Sequence, residues 1–402
     1  MVRWNPRLSL GRRAAWVGAG CLIATALYLL PGRGDIAPVV ADDNAYIFLA
    51  ADHLYAGEGL TSLPPVAPLQ PWEYTTDWAW LTQWPFGYPV LLCVVRGLLG
   101  VGTVQAAQII NVAACALALL GWFAFLRRSL PRGILGCLLS LVGAGSSVSV
   151  AMLINPSTDV LLVALVPCVL IGVQRIVAGP TDRASENQVD PNTPAASGSQ
   201  IIAPWVAVGA AAGGLVWFRY AAVFVPIALT LYLGVEVFLA RRRRLTDLAG
   251  LWAGAALPIL VLLLVNASQG TASSVQASVN LGTRIGFDFS PAMLVTAWQR
   301  WTDVGFYDYK WYSGLFFAIA VPCVPILLAL LSRDYRRRVL EFMAAASYIS
   351  GAALVASLFS VVMLCSTLFQ AKFNFVDLER YYLPIRPLYF LLVVGPLLLL
   401  RP

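Results

Sequence analysis

The sequence predicts an all-α polytopic membrane protein, and three observations predict it. Of 402 residues, 59% are hydrophobic and 12% charged, with a mean hydropathy of +0.76. Apolar stretches long enough to cross a bilayer recur from end to end, a pattern that a soluble globule does not need. Short arginine clusters stand beside those stretches, as they do in cytoplasmic loops. The net charge of +7 lies in these clusters, so nucleic acid is not an expected partner. The expected partner is the lipid bilayer.

The apolar runs predict spans at 14–30, 104–126, 133–153, 160–177, 201–218, 221–240, 248–265, 311–331, 339–369 and 383–400, about ten helices in all. The basic clusters are Arg3/Arg7/Arg12/Arg13, Arg127/Arg128/Arg132, Arg175/Arg183, Arg241 to Arg244, and Arg333/Arg336/Arg337/Arg338. With the N-terminus inside, all of them fall on the cytoplasmic side. Residues 31–103, the stretch at Asn155, the turn near Arg219, 266–310 and 370–382 then lie outside. Arg3 to Arg13 precede an apolar run with no convincing cleavage site, so a retained first span is expected rather than a signal peptide.

The segment 84–103 sets the register. It is apolar enough to be counted as a span, but counting it would move Arg127, Arg128, Arg132 and the four consecutive arginines outside. It also holds Pro85, Gly87, Pro89 and Arg96. It reads as a juxtamembrane or re-entrant helix within one large first external loop, since irregular backbone at membrane depth lines a cavity or is buried in protein. Residues 179–200, rich in Pro, Ser, Asn and Asp, read as a cytoplasmic linker within a single domain. No internal repeat supports an inverted-repeat transporter. The seven cysteines sit in apolar surroundings without zinc or redox spacing, and the single histidine, His53, cannot build a His-rich metal site.

From Arg33 to Trp84 the chain carries Asp35, Asp42, Asp43, Asp52, Glu58, Glu73 and Asp77 among Tyr46, Tyr55, Trp72, Tyr74, Trp78, Trp80 and Trp84. Carboxylates beside aromatic faces suit sugars; the same aromatics also suit a membrane-interface belt. Asp42 and Asp43 stand at the start of a helix whose face is Tyr46, Leu49, Ala50, His53 and Leu54, so a capping role competes with a chemical one. His53 reads as packed or interfacial. Several acids share the loop, which is compatible with a divalent cation, but no tight ligand motif requires a metal.

The pattern Asp42-Asp43-x-x-Tyr46-x-x-x-Ala50-x-x-x-Leu54-x-x-Gly57-x-Gly59 resembles the Asp-Glu-x-x-Tyr pattern of the C-type (GT-C) membrane glycosyltransferases. Among these it is most similar to the protein O-mannosyltransferases, the lipid A aminoarabinose transferases and related bacterial enzymes. Trp84 to Leu92 resembles their Pro-Pro-x-Tyr-Pro-Leu-Leu stretch, a juxtamembrane helix. Pro156 to Leu162 is similar to the segment where an acid, here Asp159, opens the fourth span. Gly213 to Tyr220 resembles a glycine-rich helix ending in a basic residue, and Glu379 to Pro384 a late Arg-Tyr-x-x-Pro motif. The resemblance covers most of the chain in order. It departs in Asp43, where Glu is common, in the reduced double proline, and in the expectation of no soluble C-terminal domain.

The resemblance implies a GT-C-like bundle and a multi-pass enzyme of a bacterial-type plasma membrane. It implies inverting transfer of a sugar from a polyprenyl-phosphate donor to an acceptor on the extracytoplasmic side. It implies Asp42 or Asp43 as the base and Asp159 as a partner that orients the acceptor or base. It carries Tyr46 and Tyr88 over as substrate-binding residues. A carboxylate takes the acceptor proton or stabilises charge at the ring; guanidinium forks match phosphate oxygens. Arg219 and Arg380, both on the expected outer side, are the candidates for the donor phosphate, against snorkelling to headgroups. Arg96, Lys372, Arg284 and Arg300 are weaker candidates. The competing classes are a transporter or lipid flippase, for which Asp159 and Arg219 would mark a path, and a non-catalytic membrane scaffold.

Overall fold

The computed structural model describes residues 42–62, 79–81, 84–129, 144–145, 158–177, 198–239, 243–268, 321–344, 346–368 and 382–389. The fold is that of an all-α membrane protein. Four helices among the described residues are long and apolar enough to cross a bilayer: Thr103–Arg128, Thr158–Val177, Tyr220–Phe238 and Leu245–Ser268.

The elements in chain order are α1 (Asp42–Ala56), the two-residue strands β1 (Thr61–Ser62) and β2 (Ala79–Trp80), α2 (Gly87–Leu99), α3 (Thr103–Ser129), α4 (Thr158–Val177) and α5 (Gly198–Gly214). Two 3-10 turns, Leu215–Trp217 and Tyr220–Val223, lead into α6 (Phe224–Gly234) and a π turn, Val235–Leu239. Then come α7 (Leu245–Ser268), α8 (Val321–Leu331), α9 (Arg333–Ala344) and α10 (Ala346–Leu368). A 3-10 turn, Leu383–Ile385, and one helical turn, Pro387–Tyr389, close the described chain.

The expected span at 339–369 is corrected. Its first residues belong to α9, a charged helix, and the apolar helix begins only at Ala346. Val339 and Leu340 look apolar in sequence, yet they share a helix with four arginines. The expected spans at 14–30 and 133–153, the first ten residues of 311–331, most of 383–400, and the linker 179–200 lie outside the described residues or nearly so. The segment 84–103 is one helix of 13 residues, α2, ending in the left-handed Gly100. At 1.5 Å per residue it reaches about 20 Å, short of the roughly 30 Å of hydrocarbon.

Two pairs of helices fix the bundle. In α3 and α4, Gly121 lies against Pro167 and Ala164. Trp122 Nε1 donates to Val163 O at 2.9 Å, and Gln174 Nε2 to Phe125 O at 3.3 Å. The register advances the same way along both helices, so they run parallel. The Trp122 bond has a cause in the sequence. Pro167 has no N–H, which leaves the carbonyl four residues earlier, Val163, without its helical donor; the Trp122 indole supplies one.

In α5 and α7, Gly250 packs on Ile202 and Trp205, Gly254 on Val206 and Ala210, Gly209 on Leu251, and Gly213 on Ala255. These contacts also advance together, so α5 and α7 are parallel, and the helix between them returns. Reciprocal Gly-x-x-x-Gly pairs let the two backbones meet, the small-residue packing that holds helices together where lipid weakens the hydrophobic drive.

Candidate functional site

Asp159 is in the first turn of α4, where the helix N-terminus favours a carboxylate. Its side chain is 2% exposed and pairs with Arg219 Nη1. Arg219 is the break between two 3-10 turns. Its backbone is extended (φ −155°, ψ 126°), while Phe218 N–H bonds Leu215 O at 3.0 Å and Ala222 N–H bonds Arg219 O at 2.9 Å. The break carries Arg219 across to α4. The helix that precedes it ends in Gly213-Gly214, poor helix formers, and aromatic residues follow. Two bonds to α7 hold the break in place: Trp217 Nε1 to Pro258 O at 2.7 Å, and Asn266 Nδ2 to Tyr220 Oη at 3.1 Å.

The first-loop elements converge on the same place. Tyr46 of α1 stacks on Trp84 at 5.3 Å between centroids and 14° between planes. Phe86, two residues on, meets the Trp217 ring at 5.4 Å. Gly87 sits against the Trp217 backbone so closely that an added Cβ would stand 2.8 Å from its carbonyl carbon. A continuous path therefore runs Tyr46, Trp84, Phe86, Trp217, Arg219, Asp159. All four segments quoted for the resemblance in this half of the chain meet along it, the first of them through Tyr46. Asp42 and Asp43 lie four and three residues before Tyr46, in the first turn of α1.

The backbone of Asp42 and Asp43 forms the first turn of α1; their side chains lie outside the described residues, as do Arg380, Lys372, Arg284 and Arg300. Tyr46 is partly exposed beside Trp84. Tyr88 is 1% exposed within the main core, and burial pushes its phenol well above the ordinary value. Arg96 is bound elsewhere. It pairs with Asp52, donates to Thr103 Oγ1 at 3.0 Å and lies 4.1 Å over the Tyr55 ring. It thereby ties α1, α2 and the start of α3 together. His53 Nδ1 meets Thr61 Oγ1 at 2.9 Å and Glu58 at 3.4 Å, fastening the turn after α1 to β1.

The opposite end of α4 is marked by another arginine. Arg243 donates to Ile176 O at 3.3 Å and Val177 O at 3.2 Å, satisfying carbonyls at the helix C-terminus. Asp159–Arg219 and Arg243 thus stand at opposite ends of a 20-residue helix, about 30 Å apart at 1.5 Å per residue.

Sequence reasoning missed Arg386. It is 3% exposed, in the turn between Leu383–Ile385 and Pro387–Tyr389. The first of these packs on α4 and the second on α3. An arginine inside an apolar run was the available signal. Among the described residues no group of three or more His, Cys, Asp or Glu is gathered to hold a metal ion. Chemically, the site offers a sheltered carboxylate and a guanidinium with 20% exposure, bordered by aromatic rings.

Comparison with protein-family models, with curated proteins and with solved structures finds no match to this chain.

Proposed function

We propose that this protein is a multi-pass GT-C-type glycosyltransferase. It moves one sugar from a polyprenyl phosphate to an acceptor lipid, glycan or protein on the extracytoplasmic face. The observation that supports this reading is the convergence of the Trp84–Pro89, Gly213–Tyr220 and Asp159 segments, with α1 leading to Asp42 and Asp43. Those segments are the ones that resemble the family, and they lie far apart in sequence. The positions of Arg243 and Arg219 at opposite ends of α4 support an outward-facing site under the positive-inside rule.

In the proposed reaction, Asp42 or Asp43 takes the proton of an acceptor hydroxyl. The acceptor oxygen forms a bond to the anomeric carbon as the carbon–oxygen bond to phosphate breaks. Polyprenyl phosphate leaves with inversion at that carbon. Arg219 neutralises the phosphate, and Asp159 sets where Arg219 points. Tyr46 and Trp84 offer an aromatic face to the sugar, and Arg380 is the further substrate-binding residue implied by the resemblance; Tyr88, carried over with it, is 1% exposed and would act only through the packing around it.

The test is incubation of the purified protein with a panel of polyprenyl-phosphate sugars and candidate acceptors, reading released polyprenyl phosphate by mass. Release that stops in Asp42→Asn or Asp43→Asn, with the protein still folded, is expected. Full transfer by both variants overturns the assignment. The buried Asp159–Arg219 pair within a helix bundle also suits a transporter or lipid flippase. Uptake into proteoliposomes without covalent product would select that reading.

A further inference from the structure

A second charged surface lies away from this site, on α9. The helix follows α8 after one residue, Ser332, whose Oγ accepts the Tyr335 N–H at 3.2 Å as an N-cap. Immediately before it, Leu330 and Leu331 are 73% and 75% exposed. Immediately after it the chain reads Arg333-Asp334-Tyr335-Arg336-Arg337-Arg338. So the surface changes from apolar to basic across a single residue, which is the change that a bilayer makes between acyl chains and headgroups.

All six charged residues described on α9 are exposed, and three of its four arginines share one side. Arg333, Arg336, Arg337 and Leu340 stand at i, i+3, i+4 and i+7, one side of a helix. All four are exposed. Tyr335, 3% exposed, is on the opposite side and seats the helix against the protein. Arg338 and Asp334, also exposed, stand off that stripe, Arg338 one turn beyond Tyr335. Glu341 reaches Arg337 at 3.7 Å from the margin of the stripe. One exposed side of α9 therefore holds three guanidinium groups around one leucine, with Asp334 and Glu341 on its flank, at the level where the protein surface ceases to be apolar.

We propose that this stripe binds the phosphate of anionic phospholipid headgroups in the leaflet at that end of the bundle, with Leu340 entering the acyl boundary. Three guanidinium groups match phosphate in charge and geometry. A leucine among them suits an interface and not open water. The stripe is separate from the Asp159–Arg219 site and does not depend on what that site does.

The experiment titrates the full-length protein, in neutral detergent, with phosphatidylglycerol and with phosphatidylcholine, reading bound lipid by native mass spectrometry. Phosphatidylglycerol should bind preferentially, and Arg333→Gln, Arg336→Gln and Arg337→Gln should each weaken it about fivefold. Arg338→Gln, off the stripe, should change it by less than about twofold. Binding to the unmodified protein should also weaken as salt rises, a measurement that needs no variant to fold. Equal binding of the two lipids, indifference to salt, or an Arg338→Gln loss equal to that of Arg336→Gln would overturn the proposal.

Discussion

Asp159 and Arg219, sixty residues apart in sequence, are bonded to each other in the protein interior. Neither is explained by its own helix alone. Asp159 opens α4, and Arg219 interrupts the passage from α5 to α6, so the bond ties two parts of the bundle that are not adjacent in the chain. Removing two charges from water costs several kcal/mol each, and their attraction offsets that cost only while both are present.

Replacing one partner should therefore cost more than replacing both. Asp159→Asn leaves the Arg219 guanidinium without its carboxylate. A loss of about 2–4 kcal/mol is expected, toward the low end of values for buried pairs because Arg219 keeps 20% exposure. Asp159→Asn combined with Arg219→Gln should lose less than the sum of the single variants. Thermal unfolding of the four proteins in one detergent measures the coupling. Strictly additive losses would show that the bond contributes nothing.

Trp122 should matter through one hydrogen bond. Trp122→Phe keeps most of the ring volume but leaves Val163 O buried without its donor, at a cost of about 1–3 kcal/mol. Pro167→Ala restores a backbone N–H that can reach the same carbonyl. The Trp122→Phe penalty should then shrink in the Pro167→Ala background, a result accessible by denaturant or thermal melts. An unchanged penalty would assign Trp122 to packing alone.

Much of this arrangement was legible in the sequence, and the rest was not for physical reasons. The helices 103–129, 158–177 and 245–268 lie within a few residues of their expected bounds, because a run of twenty apolar residues has one way to satisfy its backbone in lipid. Asp159 and Arg219 were each singled out by charge beside apolar runs. Their bond was not legible, since it depends on how the helices are placed beside one another. Pro167 announces an orphaned carbonyl in the sequence, yet nothing local says that Trp122 supplies the donor. Arg386 does not stand out in the sequence because it falls inside a run that reads as a span, with the more conspicuous Arg380 just before it. The start of α10 is not legible either, because Val339 and Leu340 extend an apolar count although their helical neighbours are charged.

The glycines of α5 and α7 should not be equivalent to other glycines. A Cβ at Gly254 would stand 2.7 Å from Ala210 N and 2.8 Å from Val206 C, whereas one at Gly234 meets nothing within 4 Å. Backbone cannot yield as a flexible side chain can. Gly254→Ala should destabilise by about 1–3 kcal/mol. Gly234→Ala should be neutral or gain up to about 1 kcal/mol from helix propensity. Melting temperatures of the two variants should move in opposite directions or differ clearly; equal shifts would mean that α5 and α7 do not meet through these glycines.

Tyr88 gives the protein an alkaline limit. Burial raises its folded-state pKa above the ordinary value of 10.0. The native state therefore keeps the phenol proton after the unfolded chain has begun to release it. The stabilising effect is fully present below the unfolded value and is lost as pH climbs beyond it toward the folded one. Stability should be flat in this respect up to about pH 9 and fall above about pH 10. Tyr88→Phe has no proton to lose, so its melting temperature should decline less steeply between pH 9 and 11, on the scale of the phenol's ordinary titration. Tyr335, raised in the same direction by burial, contributes to the decline in both proteins, so the difference between the two curves isolates Tyr88. Superimposable curves would mean that the Tyr88 phenol ionises as easily in the folded protein as in the unfolded chain, and that its burial adds nothing to the alkaline limit.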